Sequence, residues 1–214
     1  MKLSFRKDQK KNVSQSGTFS NIKKIFLLDK KIVLDIGCSE GDYLSSFGNG
    51  SIGVTIIEEH VRVARERGLN VLLKNVEDPS FSMDKKFDAI WANNLFEHMN
   101  SPHLFLVKMR EQLKQGGVLI LGVPVIPYTS WLAYFKKFRG AYAVSHVNFF
   151  TRKTLLETVK VGGWEIKEAR PFYIKNRMID CLFNLIAPHI YIVATPISNF
   201  IYPRKRLASL QGYK

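Results

Sequence analysis

Between residues 30 and 125 the chain repeats one unit, a short apolar run followed by a charged stretch, and that repeat narrows the possible folds more than any other feature. Residues 32–36 (IVLDI), 51–57 (SIGVTII), 71–74 (VLLK), 87–92 (FDAIWA) and 117–125 (GVLILGVPV) are short, apolar and rich in β-branched side chains, so they read as strands. Residues 43–47 read as the start of a helix after the first strand. Residues 58–67 place Val61 and Ala64 on one helical face, and residues 102–114 place Leu104, Val107 and Leu113 amid charges, as an amphipathic helix does. Residues 188–195 (PHIYIVAT) read as a last strand. Buried strands alternating with helices predict an α/β fold: an open parallel sheet, covered on both faces, with ligands at the carboxyl ends of its strands.

The first strand runs straight into a glycine turn, residues 33–41 (VLDIGCSEG). Gly37 lets the backbone turn tightly and approach a ligand, and Gly41 removes a side chain where strand and helix meet. The turn is not a dinucleotide fingerprint, because G-x-G-x-x-G needs glycine at Ser39 and Asp42; nor is it a phosphate-binding P-loop, because G-K-[ST] is missing. Alone, it is equally a strand-to-helix turn with no ligand.

Charge divides the chain into three. The net +14 splits into +7 over residues 1–31, −3 over 32–135 and +10 over 136–214, so the excess lies on the flanks of a mildly acidic middle. We read residues 1–30 as a basic arm with a leading helix, 31–196 as the main domain with a lid-like insertion around 128–150, and 197–214 as an apolar and basic tail. Residues 1–15 are charged from the start and lack the apolar segment of a secretory signal. Two cysteines, Cys38 and Cys181, make neither a disulfide framework nor a zinc cluster, which points to a reducing, cytoplasmic setting. Residues 115–135 and 181–203 carry no charge, but glycines and prolines interrupt the first, and Pro188, His189 and Pro196 the second, so neither reads as a membrane-spanning helix.

Residues 33–41 are followed, in order, by 87–90 (FDAI), 95–98 (LFEH), 113–117 (LKQGG), 146–151 (HVNFFT) and 162–164 (GGW). This series resembles the class I S-adenosylmethionine-dependent methyltransferases, in particular the small-molecule, ubiquinone-pathway-like branch, over about residues 30–170. The resemblance implies a Rossmann-like, mostly parallel seven-stranded sheet with helices on both faces. It places the methionyl part of the S-adenosylmethionine cofactor over Gly37, Cys38, Ser39 and Gly41, with Asp35 near its amino group. It also sets Asn75 and Val76 at the adenine and Asn93 near the reactive end. Two positions depart from the pattern: Ser39 replaces the usual middle glycine, and Thr55 stands where an acid normally accepts both ribose hydroxyls, which one hydroxyl cannot do alone. Glu58 and Glu59 could reach toward the ribose, though a solvated first helical turn accounts for them as well.

Methyl transfer to a hydroxyl needs a base, and His146 and His98 are the candidates, with His146 preferred because it follows the fifth strand, where this family builds its acceptor pocket. Glu97 reads as a structural anchor or helix-cap acceptor. The E-x-x-E-H of the ubiquinone-pathway relatives, which can hold a divalent metal, is here Asn94-Leu95-Phe96-Glu97-His98; with one carboxylate lost, no bound metal is expected. The expected acceptor is a hydroxyl of a small or lipid-linked metabolite, a quinone precursor or a cell-surface sugar intermediate. Residues 130–139 (SWLAYFKKFR) and 197–206 (ISNFIYPRKR) combine aromatic and basic side chains suited to a lid or to an anionic membrane surface at the inner face. RNA methylation is the alternative prompted by charge, although no nucleic-acid methylation motif or clear stacking platform is present. A binding module that has kept the fold without catalysis is the third reading.

Overall fold

The computed structural model describes residues 16–129, 131–132, 135, 140–143 and 145–201. Seven strands form one sheet in the order β3-β2-β1-β4-β5-β7-β6: β1 is Val33–Ile36, β2 Ile52–Thr55, β3 Val71–Leu73, β4 Phe87–Asn93, β5 Leu113–Pro124, β6 Trp164–Arg170 and β7 His189–Pro196. β1 to β5 pair in parallel, and β7 runs antiparallel to both β5 and β6. This is the expected mostly parallel, seven-stranded sheet.

Helices lie on both faces because the central strands are apolar on both. Every residue of β1 and β2 is buried. Leu34, Ile90, Leu119 and Leu121 point into the larger core with α3 (Pro102–Gln112) and α4 (Arg152–Val161), through Phe105, Leu106, Met109, Leu155 and Val159. Val33, Ala89, Trp91 and Ile120 alternate to the opposite face and meet Phe19 and Ile22 of α1 (Gly17–Phe26). Phe19 and Trp91 meet edge to face at 5.3 Å, a geometry that adds to their area burial. Val61 and Ala64 of α2 (Glu58–Glu66) pack with Cys38, Leu44 and Val71.

Two local expectations change, and a third feature carries no signal in the apolar pattern. Residues 43–47 give only one helical turn, Leu44–Ser46, before the chain crosses back to β2. In α3 the buried face is Phe105, Leu106, Lys108, Met109 and Gln112, whereas Leu104 is exposed and Leu113 already belongs to β5. The face turned because two polar residues are recruited inward: Lys108 Nζ donates to the carbonyls of Val76 and Asp78, and Gln112 Oε1 accepts from Met83 N at 3.0 Å. A buried amine is stable only where such acceptors await it. Third, β6 has no apolar run; it is an edge strand whose Glu165 and Lys167 pair on the solvent side. The leading helix expected within 1–30 is α1. The arm over residues 1–15 and the tail beyond 201 lie outside the described residues, as do 130, 133–134, 136–139 and 144 of the lid-like insertion.

Candidate active site

At the carboxyl ends of β1 to β4 a cavity of about 490 Å³ opens between the glycine turn, the start of α2, the loop after β3 and the helical turn after β4. Among the expected cofactor residues, Gly37, Ser39, Thr55, Asn75 and Val76 line it. Gly37 has φ +72°, and a Cβ there would stand 3.1 Å from Leu95 Cδ1, so the close approach requires glycine. Ser39 also adopts positive φ, 51°, in place of the usual glycine.

The other four expected residues stand behind this wall. Asp35 is buried, its Oδ2 has no partner, and burial followed by the charge of Asp42 pushes its carboxyl up to about 8. Cys38 turns into the α2 core, where its Sγ would meet any Cβ on Gly53 at 2.6 Å; burial raises its thiol beyond the usual range, making it an inert packing group. Gly41, φ +82°, faces Leu69. Asn93 Nδ2 donates to Tyr43 Oη at 3.3 Å, while Asn93 Oδ1 is buried without a partner beside Gly122.

On the ribose side, Thr55 Oγ1 already accepts from Ile57 N at 3.3 Å. Glu58 and Glu59 are exposed on the outer face of α2, and Glu59 pairs with Arg62 at 2.6 Å, so the solvated reading of this turn holds. Residues unmarked by any motif complete the cavity: His60, Lys74 and Glu77. Glu77 accepts from Asn100 N, Asn100 Nδ2 and Ser101 N at 2.7, 2.7 and 3.2 Å, and so ties the loop after β3 to the wall after β4.

Beyond that wall, Glu97, His98 and His146 converge. The segment after β5 is bound to the helical turn Phe96–His98 by Val147 N and Asn148 N, which both donate to the Glu97 carbonyl, and by Asn148 Nδ2, which donates to Met99 O. His98 Nδ1 faces Ser145 O at 2.9 Å and His146 Nδ1 faces Ala141 O at 3.3 Å. A carbonyl only accepts, so each Nδ1 carries a proton, and in the neutral ring each Nε2 carries the lone pair. The rings meet edge to face at 4.8 Å, and His146 Nε2 is 3.9 Å from Glu97 Oε1. The Glu97 side chain is 1% exposed, neither oxygen has a hydrogen-bond partner among the described residues, and burial raises its carboxyl. His98 lines the cavity and His146 does not. The ligand atoms of the three lie within 4.8 Å of one another, a spacing that a divalent ion could also bridge.

The groups present fit a bound S-adenosylmethionine on the methionyl side. Gly37 and Ser39 line the cavity with left-handed backbone, and behind them Asp35 Oδ2 is buried with no partner among the described residues.

Residues 10–169 match a family described as a methyltransferase domain. An uncharacterized protein, MJ1123, of Methanocaldococcus jannaschii is 31% identical over 150 residues, 69% of this chain and 71% of its own. The ubiquinone biosynthesis O-methyltransferase of Hydrogenovibrio crunogenus is 24% identical over 52% of this chain, which spans 50% of that enzyme. A solved S-adenosylmethionine-dependent methyltransferase from Clostridium acetobutylicum superposes with a TM-score of 0.62 at 13% identity, covering 84% of this chain and 90% of that one. With three quarters of its length matched, the ordered motifs present and the sheet order in agreement, the chain belongs to the methyltransferase-domain family and is a class I S-adenosylmethionine-dependent methyltransferase.

Proposed function

We propose that the enzyme methylates a hydroxyl of a small or lipid-linked metabolite, such as a quinone precursor or a cell-surface sugar intermediate, in the cytoplasm or at the inner face of its membrane. The observation that carries this reading is the buried, unpartnered Glu97 beside two histidines whose Nε2 lone pairs are free of the carbonyls that hold their Nδ1. A hydroxyl must lose its proton as it attacks, and this cluster can take it.

When bound, S-adenosylmethionine supplies a methyl group activated on sulfonium. Asp35, Gly37 and Ser39 hold the methionyl end, and Asn75 and Val76 border the adenine. His98 Nε2 accepts the proton of the acceptor hydroxyl, which must stand about 3–3.5 Å from the methyl for in-line displacement. His146 and the Glu97 carboxylate lie behind His98 and stabilise the positive charge that the proton brings. Unlike a metal-assisted transfer, this chemistry needs no divalent ion.

Single-turnover transfer of labelled methyl to a panel of phenolic quinone precursors, lipid-linked sugars and tRNA, with and without chelator, tests the reading. Labelling of a hydroxyl acceptor, insensitive to chelator, is the expected result. Labelling of RNA alone would overturn the acceptor class, and absence of cofactor binding would leave a binding module.

A further inference from the structure

The two longest connections on the cavity edge of the sheet share one surface chemistry. Because β7 is antiparallel to both β5 and β6, β6 points the same way as β1 to β5, and its carboxyl end, Arg170, shares the edge of Gly37, Asn93 and Pro124. From there, residues 171–188 fold into α5 (Arg177–Leu182) and a helical turn, Phe183–Leu185. The outward face is aliphatic: Met178 is 84% exposed, Leu182 69% and Leu185 58%. The inward face is pinned. Asp180 is fully buried, pairs with Arg170 at 3.0 Å, and accepts from Phe172 N and Ile174 N at 2.8 and 2.9 Å. Rolling α5 to hide its leucines would break a buried ion pair, which is strongly unfavourable. After β5, on the same edge, Trp131, Phe135 and Val147 are also more than half exposed.

Charge on these two connections has one sign. No Asp or Glu occurs between Leu113 and Leu156, and between Pro171 and Pro188 the one acid is Asp180, already paired inside. The exposed charges beside α5 are Lys175 and Arg177; Lys136, Lys137 and Arg139 lie outside the described residues. An exposed apolar face flanked by cations marks a binding surface. Methionine and leucine side chains stack on no base, so the face of α5 favours acyl chains over single-strand RNA, for which the exposed Trp131, Phe135 and Tyr173 would have to serve, and two cationic faces repel, which disfavours a second copy. Aliphatic groups entering the acyl boundary with cations at the phosphates are the signature of an interfacial helix.

We propose that this edge docks on an anionic bilayer, with Met178, Leu182 and Leu185 in the interface and Lys175 and Arg177 on the headgroups. The docking deepens the proposed function, on which its purpose rests, because a cavity held against the bilayer receives an acceptor anchored there. Residues 197–200 do not share in it: Ile197 O accepts from Arg110 and Phe200 packs under Arg110, both at the opposite edge of the sheet.

Flotation of the full chain with phosphatidylcholine vesicles, with and without about 30 mol% phosphatidylglycerol, measures this without acceptor or cofactor, so a failed methylation assay does not touch it. Binding is expected to be at least tenfold tighter on the anionic vesicles. Met178→Ser with Leu182→Ser should reduce it about tenfold and Lys175→Glu with Arg177→Glu by more, whereas Ile201→Ser on the far edge should leave it unchanged. The altered residues are exposed, and unchanged melting and cofactor affinity confirm folding. Equal binding to both vesicles, undiminished binding by the first pair of substitutions, tighter retention on RNA, or a dimer that the same substitutions dissolve would each overturn the proposal.

Discussion

The β1–β4 half of the sheet and the β5–β7 half are built by different rules. On the first, strands are parallel and buried, and the groups at the cavity stand at successive strand ends: Gly37 and Ser39, then Thr55, then Asn75 and Val76. On the second, two antiparallel pairings and a charged edge strand support a polar cluster assembled across 49 residues, from Glu97 to His146, beside exposed aliphatic groups. The lining of the cavity is thus set at successive strand ends, and the Glu97–His146 cluster exists only after long-range folding.

The largest effect that would sharpen this contrast is on the cofactor side. Gly37→Val demands a left-handed φ that valine resists and sets a Cβ against Leu95. Affinity for S-adenosylmethionine by calorimetry should fall about 100-fold or more, with vesicle binding intact. A loss smaller than tenfold would show that the turn does not cradle the cofactor.

On the acceptor side, His98→Ala should lower single-turnover transfer about 10²- to 10³-fold at saturating cofactor, and His146→Ala about tenfold, since His98 borders the cavity and His146 supports it. Both should keep cofactor affinity and melting temperature. If His146→Ala has the larger effect, the order expected from sequence stands. If neither exceeds about threefold, positioning alone drives transfer.

Each half was readable in the sequence to the extent that its signal was local. The strand-to-glycine turn, the Thr55 departure and the sheet class were legible because hydrophobic runs and φ-demanding glycines act over a few residues. The buried face of α3 was not, because nothing in the periodicity marks Lys108 as the lysine that reaches two carbonyls 30 and 32 residues away. Nor was β6, whose edge position lets charges alternate where an apolar run would otherwise stand. The role of Glu97 was hidden for the same reason: its surroundings come from residues 145–148.

Asp35 offers a pH test of the cofactor half. Its carboxyl is raised to about 8 chiefly by burial, so the folded chain without cofactor keeps a proton that the unfolded chain releases near the usual carboxylate value. Stability from this group is full below about pH 4 and is lost as pH rises through about 8. The melting temperature should therefore decline across that window, and Asp35→Asn should flatten the decline. Saturating cofactor should also flatten it, because an ammonium takes the place of the proton. A slope unchanged in the variant would assign the pH dependence to the Glu97 cluster on the other half.

The smallest expected effect is at Ser39, the one position where the glycine turn departs from its relatives in backbone demand. At φ 51° a serine sits in the left-handed region, which costs an L-residue about 1–2 kcal/mol. Glycine removes that strain but adds freedom to the unfolded chain, worth about 0.4–1 kcal/mol in the other direction. Ser39→Gly should therefore gain about 0.5 kcal/mol, a rise of about 1–2 °C in melting temperature for a chain of this length. Cofactor affinity should stay within about threefold, since the backbone path is already that of glycine. A fall in melting temperature or a larger loss of affinity would show that the serine side chain itself holds the turn or the ligand, and that the departure is a recognition feature of this half of the sheet.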